Sequence, residues 1–171
     1  MGKIKFAVLL TLLSLLCFCL ISCGGASFSD FRSDAFAACV EYYIGGELVF
    51  AGEADIRKAC GEDSRDMTVT VSAPSAMSGT VISRESGRTR VRLSEREMES
   101  EAFSFVFAAT ELLIPSGEAV RVEKRDVLGV RYTVAVFSTG EEMYFELGGE
   151  IPSEVRRGEE RLVVRSIELR T

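Results

Sequence analysis

The stretch that decides the fold is residues 36–56, FAACVEYYIGGELVFAGEADI. Phe36, Ala38, Val40, Tyr42 and Ile44 alternate with Ala37, Cys39, Glu41 and Tyr43, and after Gly45-Gly46 the alternation resumes with Leu48, Phe50, Gly52, Ala54 and Ile56. A period of two on either side of a glycine pair reads as a β-hairpin with one buried face. Keeping both apolar sets on that face pairs Tyr42 with Phe50 and Ile44 with Leu48, around a Gly45-Gly46-Glu47 loop. In this register Cys39 lies opposite Glu53, seven residues short of Cys60. At strand geometry the two thiols are roughly 20 Å apart, whereas a disulfide needs Cα atoms within about 7 Å. Free thiols are therefore expected, unless the second strand ends early and residues 57–60 fold back.

Downstream, Met67, Val69 and Val71 give a third strand that ends at Ala73-Pro74. Residues 81–84 and 89–93 flank Glu85-Ser86-Gly87-Arg88, a second hairpin whose outer face is Arg88, Arg90 and Arg92. Those arginines read as a solvated face that guards a strand edge, with a basic ligand site as the alternative. From Glu95 to Ile114 the pattern changes to a polar, helix-prone opening followed by Ala102-Phe103-Ser104-Phe105-Val106-Phe107-Ala108-Ala109 and Leu112-Leu113-Ile114, stopped by Pro115. This reads as one helix over 95–114, capped by Ser94 with Glu97 or by Ser100, and apolar nearly all round, so buried on more than one side. A strand over 103–107 is its rival. Val120 and Val122 open a further strand. Val130 to Val136 and Met143 to Leu147 form another hairpin, with Val136 opposite Met143 and Val134 opposite Phe145. Val163, Ile167 and Leu169 mark a last strand.

The sum is a meander of seven or eight antiparallel strands with one helix between its halves. A sheet with one apolar face must cover it, and one helix is little cover for so many strands. The expected class is α+β: a curled antiparallel sheet, an open half-barrel, with one apolar helix packed against its concave face.

The N-terminus supplies an address. Met1 to Lys5 carries two lysines, and residues 6–21 have no charge, the length of a signal-peptide core and shorter than the roughly 20 residues of a membrane span. Leu20-Ile21-Ser22-Cys23 follows and resembles the bacterial lipobox. That resemblance implies diacylglycerol on the Cys23 thiol and cleavage before it, with acyl chains such as palmitate as the anchor. An uncleaved anchor helix and a simple secretory signal are the competing readings. Cys17 and Cys19 lack the motif's neighbours and read as apolar filler. The organisation is then a signal peptide over 1–22, lipidated Cys23 and a flexible tether over 23–30, and a single domain over 31–171.

Composition narrows the function. The chain has 171 residues, 20 basic and 26 acidic, with no histidine and no tryptophan. All the acidic residues lie beyond residue 22, which argues against nucleic acid as a partner. Without histidine the commonest general base and metal ligand is missing. No G-x-S-x-G elbow, glycine-rich phosphate loop or C-x-x-C pair is present. Asp55, Glu62, Asp63 and Asp66 lack calcium-loop spacing and read as a solvated loop. Glu141 and Glu142 are expected in solvent in a hairpin loop. No catalytic residue, metal or cofactor is expected, and the chain is not read as an enzyme.

The hairpin over 36–56, the stretch VTVSAPSAMSGTVIS (69–83), the apolar helix and the closing strand from Leu162 together resemble the half-barrel superfamily of LolA-, LolB- and LppX-type envelope proteins, and more closely the small lipoproteins of Gram-positive bacteria with that fold. The resemblance implies a concave apolar surface that holds acyl chains in some members. Two functions remain open. One is a hydrophobic-ligand carrier on the extracytoplasmic face of a bacterial membrane, with Phe36, Phe50, Phe103, Phe105, Phe107, Tyr132 and Phe145 lining a lipid site between sheet and helix. The other is a ligand-free envelope interaction or structural module in which these aromatics are core. An empty volume of a few hundred Å³ between helix and sheet separates the two.

Cys23→Ala should abolish incorporation of a labelled fatty acid and release the chain from the membrane. Retained label would rule Cys23 out as the lipidated residue.

Overall fold

The computed structural model describes residues 35–57 and 66–170. The lipobox, Cys23, the tether and Cys60 lie outside the described residues. Eleven strands form, rather than seven or eight. They are β1 (Ala35–Ile44), β2 (Glu47–Arg57), β3 (Asp66–Ala73), β4 (Val81–Glu85), β5 (Arg88–Leu93), β6 (Arg96–Glu99), β7 (Ala119–Val127), β8 (Val130–Phe137), β9 (Glu142–Glu146), β10 (Pro152–Arg157) and β11 (Glu160–Arg170). Between β6 and β7 runs one helical segment: 3-10 turns at Glu101–Phe103 and Glu111–Leu113 flank α1 (Ser104–Thr110).

All strands join one open sheet in the order β6-β5-β4-β3-β2-β1-β11-β10-β9-β8-β7. The first six strands meander outward from β1. The chain then crosses from one edge to the other through the helical segment and meanders back from β7 until β11 closes antiparallel on β1, from Ala35 opposite Arg170 to Ile44 opposite Glu160. The helical connection lies on the apolar face. There Phe36, Val40, Tyr42, Phe50, Ile56, Val69, Ile82, Met143, Phe145, Val155 and Leu162 form one buried cluster with Val106, Phe107, Leu112 and Leu113. The half-barrel with a helix on its concave side is thus the observed architecture.

The first hairpin forms as read, with Tyr42 opposite Phe50 and Cys39 opposite Glu53. Cys39 is a free, exposed thiol. The loop differs from the expectation. Gly45 and Gly46 both take positive φ, 58° and 88°, giving a two-residue turn whose twist suits the strands. Ile44 therefore pairs with Glu47 and Tyr43 with Leu48, and Val49 is the extra residue that restores Tyr42 to Phe50. Ile44 and Leu48 are exposed at the tip as a result.

Three other expectations are corrected. In the β8–β9 hairpin Val136 pairs with Glu142, Ala135 with Met143 and Val134 with Tyr144, one residue away from the expected register. The slip turns Ala135 and Phe137 into the core beside Met143 and Phe145, so the bulky Phe137 is buried in place of Val136. The helix does not begin at Glu95. Leu93 pairs with Arg96 across a Ser94-Glu95 turn, and β6 runs beside β5. Arg90 and Arg92 lie opposite Glu99 and Glu97 in this ladder, and Arg88 and Arg90 reach Glu99 and Glu97 diagonally, each ion pair at 3.9 Å. Opposite charges on paired strands outweigh the helix propensity of the Glu-rich stretch. The helix starts instead at Ser100, whose hydroxyl accepts the Ala102 N–H at 3.3 Å. Finally, α1 is not enclosed: Val106, Phe107, Ala109 and Thr110 are buried, while Ser104, Phe105 and Ala108 face outward. Among the described residues no helix is long and apolar enough to cross a membrane.

Gly52 marks the tightest approach in the sheet. A Cβ at this position would stand 2.5 Å from the Thr70 carbonyl oxygen on β3. Gly52→Ala should therefore cost about 1–3 kcal/mol, the usual range for overpacking, measured as a drop in the urea midpoint. An unchanged midpoint would contradict that contact.

Candidate functional site

The concave side is built around a clamp between sheet and helix. Arg84 of β4 pairs across the ladder with Met67 and therefore points to the apolar face. Its guanidinium lies 5.0 Å from the centre of the Phe107 ring, donates to the Glu111 carboxylate and sits 3.6 Å from the Met67 sulfur. A cation over an aromatic face gains about 0.5–2 kcal/mol depending on desolvation. One side chain thus fixes both ends of the helical turn that carries Phe107. Thr110, fully buried, donates its hydroxyl to the Val106 carbonyl at 2.8 Å, so no polar group is stranded beneath the helix at that point.

The aromatics read as ligand-lining separate into three groups. Phe36, Phe50, Phe107 and Phe145 are closed inside the core. Phe103 packs partly buried against it, and Phe105 is 39 % exposed with its ring edge-on to Phe50 at 6.4 Å. Tyr132 does not join them. The one-residue slip in the β8–β9 register puts it on the convex face, its ring 5.8 Å from that of Tyr144.

An open volume lies elsewhere. β10 pairs with β11 only from Glu154 opposite Val163 to Arg157 opposite Glu160. Beyond Val163, β11 has no β10 partner, and the β9–β10 connection bends away. The gap is a solvent-open cleft of about 710 Å³ lined by Ile151, Pro152, Val164 and Ile167, with Glu146, Glu150 and Arg165 at its rim. Val164 and Ile167 belong to the buried cluster, so the cleft reaches the core from the side, between strands rather than under the helix. Leu147, Ile151 and Leu169 are exposed around it.

Sequence reasoning read Arg88, Arg90 and Arg92 as an outer face but missed the rest of the convex side. There a cross-strand ladder of charges and tyrosines runs from β7 to β1. Arg125 donates to Glu142 and to the Tyr144 hydroxyl at 2.8 and 2.7 Å, and that hydroxyl donates to Glu142 at 2.7 Å. Arg156 lies 4.7 Å from the Tyr144 ring centre and pairs with Glu154, which also accepts from Arg161 at 2.7 Å. Arg161 covers the Tyr43 ring, Tyr43 donates to Glu41 at 2.8 Å, and Arg165 donates twice to Glu41 at 3.0 and 2.9 Å. Glu142 is therefore held in the ladder, and Glu141 is buried, accepting from Thr139 and paired with Arg157. The expectation that both are solvated is corrected. Asp55 is likewise in β2, paired with Arg57 and Arg170; Glu62 and Asp63 lie outside the described residues. Among those residues no group of His, Cys, Asp or Glu side chains is arranged to hold a metal ion.

The ladder shifts its own titrations. Hydrogen bonds from Arg165 and then Tyr43 lower the Glu41 carboxyl below its ordinary 4.5, and those from Arg125 and then Tyr144 lower Glu142; on the opposite face, where the core residue Tyr42 donates to it at 2.6 Å, Glu160 is lowered by its hydrogen bond from Arg157. Burial, then the bond to Glu142, raises the Tyr144 hydroxyl above its ordinary 10.0. These shifts keep the three carboxylates charged and the Tyr144 hydroxyl protonated at neutral pH.

Comparison with known proteins matches this geometry at the level of fold. No family model and no curated protein matches the chain. Among solved structures it is similar to MucB, with a TM-score of 0.51 and 13 % identity over 86 % of this chain; the chain spans 60 % of the length of that protein. It is similar also to a putative outer membrane lipoprotein-sorting protein domain from Vibrio parahaemolyticus (TM-score 0.40, 10 % identity, 86 % of this chain and 92 % of that one). A LolA superfamily protein from Nitrosomonas europaea gives a TM-score of 0.43 and 10 % identity over 81 % of this chain and 87 % of that one. The half-barrel read from the sequence holds as a fold.

Because folded Glu41, Glu142 and Glu160 titrate below 4.5, their stabilising contribution is complete above that pH and is lost as pH falls through the folded values. The tyrosine contribution is complete below 10.0 and is lost as pH rises past it. Thermal melts should therefore be flat at neutral pH and fall below about pH 4.5. Arg125→Met should weaken the acid limb; an unchanged limb in that variant would exclude the Glu142 contribution.

Proposed function

We propose that this chain is a non-catalytic, lipid-anchored protein on the extracytoplasmic face of a bacterial membrane, and that it takes an apolar ligand, an acyl chain or lipid, into the concave side of its half-barrel. The anchor is Cys23, on the strength of the Leu20-Ile21-Ser22-Cys23 pattern. The observation that carries the ligand reading is the cleft where the β10–β11 ladder lapses. An apolar chain entering past Ile151 and Pro152 would lie on Val164 and Ile167, at the margin of the buried cluster. This site replaces the one first expected between helix and sheet, since Phe36, Phe50, Phe107 and Phe145 are already closed on one another.

Their closure also favours the ligand-free reading, an anchored envelope interaction or structural module, so the experiment must separate the two. The full chain is purified under native conditions, extracted with organic solvent and searched for co-purified lipid by mass spectrometry. It is then melted with added fatty acids and phospholipids. A ligand at a hundredfold excess over its dissociation constant stabilises by about 2.7 kcal/mol, a rise of about 5–10 °C for a chain of this size. Ile151→Lys, at a 46 % exposed position, should remove the rise and leave the unliganded melt unchanged. Absence of co-purified lipid together with no shift would leave the ligand-free module as the better account.

A further inference from the structure

Two strands end the sheet, and they are not alike. β6 is four residues long, and three of them are charged; short length and charge are the usual protection of a sheet edge. β7 is nine residues long, and among the described residues no strand lies on the edge it turns away from β8. Its charges alternate in sign. Arg121, Glu123 and Arg125 share the convex face, opposite Val136, Val134 and Tyr132 of β8. Val122 lies on the other face, half exposed, beside Val120 at 65 % exposure.

We propose that the β7 edge pairs with the same edge of a second copy of this chain. The two β7 strands run antiparallel about a twofold axis at Val122 and continue the sheet from one molecule into the next. The charges select this register. Centred on Val122, the pairing sets Arg121 of each copy opposite Glu123 of the other, twice over, and Val122 against Val122. Centred one residue on, it would set Glu123 against Glu123 and Arg121 against Arg125. Centred on Lys124, it would oppose Glu123 to Arg125 twice over, but it would also set Lys124 against itself, Val122 against Asp126 and Arg121 against Val127. Like charges directly opposite destabilise a ladder and opposite charges stabilise it. Within the strand Glu123 already pairs with Arg121 at 3.2 Å and with Arg125; the chosen register adds the second copy's Arg121 to Glu123 and leaves Arg125 on Glu142 and Tyr144. It also covers Val122, whose exposure is otherwise unexplained. A single strand pair is small beside the roughly 1,600 Å² of a standard interface, so the association is weak and is best trapped covalently.

Residues directly opposite in an antiparallel ladder have Cα atoms about 4.5–5.5 Å apart, within reach of a disulfide. The test uses the full chain in detergent with Cys39 and Cys60 replaced by serine and Cys23 kept as the proposed anchor; the same background without an added cysteine is the control. Val122→Cys should oxidise to a covalent dimer. Lys124→Cys, offset from the axis, should do so at least fivefold less. Adding Arg121→Glu to Val122→Cys should cut dimer formation about tenfold, and the swap Arg121→Glu with Glu123→Arg should restore it. Arg121 is 60 % exposed and its replacement leaves the core untouched. Equal cross-linking at 122 and 124 overturns the proposal whatever the charge variants do, as does a Val122→Cys dimer that Arg121→Glu leaves unchanged.

Discussion

The ladder between β1 and β11 is the constraint on which the rest of the structure depends. β1 is paired along its whole length on both sides, with β2 from Phe36 opposite Ile56 and with β11 from Ala35 opposite Arg170. The first partner is a hairpin neighbour; the second comes from the far end of the chain. Until β11 arrives, the two meanders are separate sheets, each with an apolar face and a bare edge. Their joining makes the buried cluster continuous from Ile82 to Phe137. Contacts of such long sequence separation form slowly, and here they also decide whether the helical segment has a single surface to rest on.

Where the sequence was legible, the signal was local. Alternation and a glycine pair were enough for β1 and β2, and Pro74 and Gly87 bracketed the strands around them. Where it was not, the deciding term lay across strands. Residues 95–99 are helix formers, and it is pairing with β5, backbone ladder and opposed charges together, that makes them a strand. β10 hid because its sequence, Pro-Ser-Glu-Val-Arg-Arg, shows little alternation; its Glu154 and Arg156 are satisfied by each other, by Arg161 and by the Tyr144 ring. The β8–β9 register failed by one residue because both alignments offer an apolar face, and the choice rests on whether Phe137 or Val136 is the better core residue.

The candidate site follows the same division. The phenylalanines were recognisable as apolar-face residues, and their enclosure is a matter of packing that composition cannot express. Tyr132 went to the convex side with the register. The cleft has no signal of its own, since it arises from strands of unequal length: β11 continues for seven residues beyond its last partner on β10. Charged residues that look like an undifferentiated solvated surface in the sequence are, in three dimensions, an ordered ladder. Each exposed pair in it is worth little alone, but Tyr144 is buried beneath it and Tyr43 is partly covered.

The pairing of Ala35 with Arg170 places the two ends of the described domain side by side. Head and tail can be spliced by a short linker without disturbing a single ladder, and the chain reopened at an exposed two-residue turn such as Ser86-Gly87. Such a circular permutant would keep the same architecture with a new chain order. Its new ends would emerge at the β4–β5 turn instead of beside β1, so that anything joined to the N-terminus would meet the mouth at Ile151 from a different quarter.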